Sequence, residues 1–222
     1  MLHLGSIRGT SIDLDFNFLF LVLFFVVFNY NPAVGVQYAL IWIPILFISV
    51  LIHELAHAAM IGILGFGSSH VVLTGMGGVT INQRRARPWQ DLLISVAGPA
   101  SSFGLFFLSI WVARNVPAAQ TDRMLQVLMP DLASANFFWG IFNLIPVPPL
   151  DGGHATREFF RMFLSERNAF VIAIWIAMIV GGLIAIVSLV NRQFFLGLYI
   201  AWFVYMAFQQ WQYFRRHGVP GD

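Results

Sequence analysis

His53-Glu54-Leu55-Ala56-His57 sets two imidazoles and a carboxylate inside an apolar run that extends from about Tyr38 to Leu64. On a helix, His53 and His57 stand one turn apart on the same face, close enough to share one ion. Neutral imidazole suits Zn²⁺, which in catalytic sites takes three protein ligands and keeps a position for water. Glu54 is rotated by about 100° from His53, so it flanks an ion held by the pair and is placed to act as a base on water. With 6 His and 3 Glu in 222 residues, chance supplies about 0.002 such motifs. Two packed histidines and a hydrogen-bonded glutamate are the plain alternative. An ionised side chain in an apolar span costs about 2.5–3.5 kcal/mol on insertion scales, which favours the functional reading.

The elements that must position these groups are set by composition. The chain is 59% hydrophobic and 16% aromatic with only 10% charged residues, and its mean hydropathy is +0.78. That leaves too few polar groups to face water, so the expectation is an α-helical polytopic membrane protein, a single membrane-embedded domain over 1–222. The net charge is +2 and all 12 basic residues are arginine; topology explains them better than nucleic acid does. The absence of cysteine excludes disulfides and thiolate ligands or nucleophiles. Asp13 and Asp15 before the first apolar run argue against a cleaved signal peptide.

Six apolar runs read as transmembrane segments: about 16–30, 38–64, 92–113, 132–150, 169–190 and 194–214. Pro44 is a candidate kink in the second. The first 14 residues have the alternation of a short strand, and 68–82, with β-branched residues around a glycine cluster, carry a hairpin signal. Together they predict a small membrane-associated β-sheet. His70 lies on the hairpin and reads as a surface or packed histidine rather than a ligand. In the third run, Gly98 with Ser102 gives the small-x-x-x-small spacing of close helix approach. Residues 114–130 read as a polar connection. The fourth run ends in Asn143-Leu-Ile-Pro-Val-Pro-Pro-Leu-Asp151-Gly-Gly; three prolines exclude a regular helix there, and Asp151 is a carboxylate delivered by irregular backbone. Trp89, Trp111 and Trp211 fall near run ends, where an interfacial belt is expected.

Six spans put both termini on one side. Nine arginines (Arg8, Arg84, Arg85, Arg87, Arg157, Arg161, Arg167, Arg215, Arg216) then share that side against three (Arg114, Arg123, Arg192) on the other. Positive-inside places both termini in the cytoplasm of a multi-pass plasma-membrane protein. The histidine pair and Asp151 fall at similar depth in that arrangement.

The combination resembles the site-2 protease family of intramembrane zinc metalloproteases. The resemblance rests on His53-Glu54-Leu55-Ala56-His57, Gly75-Met76-Gly77-Gly78-Val79, Ala97-Gly98-Pro99, and Asn143 through Asp151-Gly152-Gly153. It implies that His53, His57 and Asp151 hold Zn²⁺, that Glu54 is the base, and that Asn143 lies near the scissile carbonyl. It also implies a small sheet entering the membrane from the cytoplasmic side. The six-span form fits, with no room for an inserted PDZ or a C-terminal CBS domain.

The expected activity is hydrolysis of peptide bonds within or near transmembrane segments. The partners are then single-span membrane-protein substrates in the lipid bilayer, with no nucleic acid, and with a regulatory membrane partner or a second copy as a further partner. An exposed strand edge in 68–82, with Val71, Gly77, Gly78 and Val79 as its contacts, suits capture of an unwound substrate by β-addition. A membrane zinc transporter and a proteolytically inactive scaffold of the same fold are the alternatives; the first gives Glu54 no fixed task. His154 reads equally as a neighbour of the metal site or a loop histidine, and Asn17 and Asn136 as helix-packing groups.

Overall fold

The computed structural model describes residues 1–32, 35–82 and 86–218, with no account of the His217 side chain. Arg84 and Arg85 of the topology argument lie outside the described residues. Two compact units emerge, one of residues 1–85 with 97–140 and one of 86–96 with 141–222.

The first unit holds a four-stranded sheet in the order β1-β2-β3-β4, formed by β1 (Leu2–Ile7), β2 (Thr10–Leu14), β3 (His70–Thr74) and β4 (Gly77–Ile81). Residues 1–14 thus make a hairpin of two strands where the sequence suggests one. β2 and β3 run parallel, with Ile12 opposite Val71 and Leu14 opposite Leu73. A parallel pair needs a long crossover. Helices α1 (Phe18–Phe28), α2 (Val36–Leu40) and α3 (Trp42–Ile63) supply it. Pro44 sits in the first turn of α3, where no helical bond needs its missing N–H. The buried sheet face (Ile12, Val71, Leu73) packs with Phe18, Val50 and Ala58 from α1 and α3.

Asp13 ties the sheet together from the side. Its carboxylate accepts from His3 Nδ1 and His70 Nε2, each at 2.7 Å, and the bonds from His3 and then His70 hold it below the usual carboxylate range. His70 is therefore a packed, hydrogen-bonded histidine, as expected.

Helix α4 (Pro88–Asn115) is followed by α5 (Pro117–Thr121) and α6 (Arg123–Asn143). The stretch read as a polar connection over 114–130 is mostly helical. Asp122 Oδ1 accepts from the backbone N–H of Met124 and Leu125 at 2.8 and 2.9 Å and so starts α6 well before the apolar run. Apolarity marks only the part of a helix that needs lipid or protein around it, not where the helix begins.

In the second unit, α7 (Asp151–Arg161), α8 (Glu166–Val190) and α9 (Phe194–His217) follow the irregular segment 144–150. Val147 and Leu150 of that segment join Phe170, Ile174, Ile200 and Phe203 in one core. The charged stretch after Asp151 is helix α7, whose Arg157 and Arg161 both pair with Glu166 at the start of α8.

Among the described residues three helical stretches, Val36–Ile63, Pro88–Asn115 and Glu166–Val190, are long and apolar enough to cross a membrane. Among the described residues α1 is apolar but only 11 residues long. The chain is a multi-pass, mostly helical membrane protein with a small sheet.

Candidate metal and catalytic site

α3 brings His53 and His57 together on one face, as the helical spacing predicts. His53, Glu54 and His57 are 3%, 5% and 6% exposed, and the two imidazoles lie edge to face with centroids 4.9 Å apart. Buried polar groups of this kind need partners. Ser102, on α4, meets His53 Nδ1 at 3.1 Å, and its own hydroxyl donates to the Gly98 carbonyl at 3.4 Å. A hydroxyl has one proton to give, so with that proton on Gly98 it accepts from His53 Nδ1–H. This tautomer puts the His53 lone pair on Nε2, the atom suited to a metal.

Gly98 supplies the room. The point its Cβ would take lies 2.5 Å from His53 Nε2 and closer still to His57 Nε2. Zn–N bonds are about 2.0–2.1 Å long, so a side chain there would occupy the space that an ion shared by both nitrogens requires. The Gly98–Ser102 spacing, read from the sequence as close helix approach, thus also spares one space for an ion and orients one ring. The donors on this helix suit zinc: two buried neutral imidazoles on one face with space left at their Nε2 atoms.

Glu54 is held from the sheet. Thr80 on β4 lies with its hydroxyl 2.8 Å from Glu54 Oε2 and 3.1 Å from the Glu54 main-chain carbonyl, and its one proton goes to the nearer carboxylate oxygen. Gly78, two residues earlier and so on the same face of the strand, has no space for a Cβ, which would overlap the Glu54 side chain. Gly77 is buried with Trp139 of α6 against it, and Trp139 also meets His53, with ring centroids 6.5 Å apart.

The residues expected to bind substrate separate. Val71 lies fully buried in β3, which is paired on both sides; Val79, on β4, is 49% exposed on the face opposite Gly78. Among the described residues β4 is an edge strand of the sheet, with no strand paired on its outer side. Asn136 is the packing group it was expected to be, donating to Ser49 Oγ at 2.9 Å one turn before His53. Thr80 was missed, and only the strand register could have revealed it.

In the second unit, Asn143 is the last residue of α6 and Asp151 the first of α7, both half-buried. Between them the backbone folds on itself, with Val147 N–H donating to the Ile145 carbonyl at 2.7 Å and Leu150 N–H to the Val147 carbonyl at 3.0 Å. A Cβ at Gly152 would overlap the Leu144 and Ile145 carbonyls, and one at Gly153 the backbone at Val147 and Pro148. The two glycines after Asp151 therefore let α7 start directly against the loop, which fixes where the carboxylate leaves the backbone. His154 is exposed on the next turn of α7.

A multi-pass helical protein with a small sheet and a buried H-E-x-x-H helix is an arrangement shared with known proteins. The solved site-2 protease from Methanocaldococcus jannaschii is similar over 94% of each chain, with a TM-score of 0.62 and 24% identity. Family models agree: peptidase M50B-like matches residues 18–147 and peptidase family M50 matches residues 114–189. The chain belongs to the peptidase M50B-like family. The zinc metalloprotease MJ0392 of Methanocaldococcus jannaschii is 28% identical over 94% of this chain and 60% of its own length. The protein sll0528 of Synechocystis sp. is 28% identical over 72% of this chain and 44% of its own length. The chain thus spans about half the length of these curated relatives.

Proposed function

We propose that this chain is an intramembrane zinc metalloprotease that hydrolyses peptide bonds within or near transmembrane segments of single-span membrane proteins. The observation that carries the reading is the Glu54 carboxylate, buried beside the His53–His57 pair and held by Thr80. An ion carrier needs ligands along a path but has no use for a fixed carboxylate that flanks the pair. A scaffold has no use for it either.

His53, His57 and Asp151 are the proposed zinc ligands, a His₂-carboxylate set. These residues would hold the zinc, and the chemistry supplied there would be Lewis-acid activation of water and of the scissile carbonyl. Glu54 takes the proton from the attacking water and passes it to the departing amine. The Asn143 amide N–H groups donate to the oxyanion that develops on the carbonyl. A helical substrate hides its peptide bonds, so it must unwind first. The free edge of β4, at Gly77, Gly78 and Val79, offers a strand to pair with, and Val71 supports it from the buried side; this edge would set KM. Purified protein should cleave single-span membrane proteins in detergent, lose cleavage to a chelator and regain it with zinc. Full zinc occupancy without cleavage of any such protein would favour the transporter or scaffold reading.

The finer topology is six spans in the plasma membrane with both termini cytoplasmic. It rests on the nine-to-three arginine asymmetry. A reporter fused after Asp222 should read cytoplasmic; an external reading would overturn it.

A further inference from the structure

We infer that Thr80 is a positioning residue for the base: its hydroxyl fixes the rotamer of Glu54, so the strand proposed to receive the substrate also aims the carboxylate. This rests on the reading of Glu54 as the base. Three observations converge on it. The hydroxyl lies 2.8 Å from Oε2 and 3.1 Å from the main-chain carbonyl of Glu54; its one proton goes to the carboxylate, so the tip of the side chain is held by the strand. Gly78, on the same strand face, leaves the space that the Glu54 side chain fills, and a Cβ there would overlap it. Val79 and Ile81, on the other face, are exposed and take no part.

A glutamate has three rotatable side-chain bonds, and a base that wanders among rotamers spends little time in reach of the reacting atoms. Small misplacements of a reacting group cost rate steeply. One face of β4 with one glycine and one hydroxyl removes that freedom: glycine admits the side chain and threonine pins its tip. A substrate strand added to the free edge of β4 would lie against the element that holds the base, so binding and orientation share one support.

The role differs from a structural one in what it changes. Thr80→Val keeps the β-branched shape and strand preference but removes the hydroxyl; Thr80→Ser restores the hydroxyl on a smaller side chain. With zinc content and thermal stability measured on each preparation, Thr80→Val is expected to lower kcat by about tenfold or more with KM within about twofold and zinc unchanged. Thr80→Ser is expected to recover kcat to within about threefold of the parent. Parental kcat in Thr80→Val would overturn the inference. So would an equal loss in Val and Ser, which marks a packing role, or a rise in KM alone, which marks a substrate contact. Glu54→Gln in the same assay separates the two failures. If it remains active, Glu54 is not the base; if it is inactive while Thr80→Val is not impaired, the base stands and the Thr80 role falls.

Discussion

Glu54→Gln is expected to keep zinc at full stoichiometry and to lower peptide hydrolysis by about 10²–10⁴-fold, the usual worth of a positioned general base. The substitution is nearly isosteric, and the Gln carbonyl oxygen can still accept from the Thr80 hydroxyl, so packing between α3 and β4 should survive. What is lost is the capacity to take a proton. The histidines keep their places because other groups set them: Ser102 holds His53 by its Nδ1, and Gly98 leaves the space at both Nε2 atoms. A ligand role for Glu54 makes the opposite forecast, loss of metal together with activity. Zinc analysis and single-turnover cleavage on one preparation decide it; retained proteolysis would remove Glu54 from the mechanism, and loss of zinc with the fold intact would make it a ligand.

The legible part of this site is the part written in local spacing. His53 and His57 share a face because the helical period says so, and Asp151 leaves an irregular segment because three prolines bar a helix there. Glycine and small residues were visible at positions 77, 78, 98 and 102, but not what they faced. Gly98 makes room for two imidazoles, and that depends on how α4 lies against α3, which no spacing within either helix encodes. Thr80 was hidden for the same reason: a strand residue reaches Glu54, 26 positions away in sequence, only once the register of β3 and β4 is fixed. The early start of α6 was missed because hydropathy sees the apolar part of a helix and not its capped polar end. The two-stranded N-terminal hairpin was half seen; its parallel pairing with β3 is a long-range fact created by the α1–α3 crossover.

Asp151→Ala and Asn143→Ala are expected to fail differently although both residues border one loop. Asp151 is proposed as the third ligand, whose negative charge also offsets the ion in a low-dielectric setting. Its removal should lower zinc content and activity together. The alternative role for Asp151 is electrostatic: as the first residue of α7 it faces the positive end of the helix dipole, an interaction worth about 0.3–1 kcal/mol. That role predicts a small loss of thermal stability with zinc intact, so full zinc occupancy in Asp151→Ala would place the third ligand elsewhere. Asn143 is neutral and competes poorly for zinc, but its amide donates well. Loss of one oxyanion donor costs about 10²–10³ in rate. Asn143→Ala should therefore hold zinc and lose turnover by that factor. If Asn143 serves instead as a packing amide at the end of α6, the variant should melt earlier yet turn over normally per folded molecule. Zinc stoichiometry, melting temperature and single-turnover rate on the same two preparations separate these outcomes, because each role moves a different one of the three.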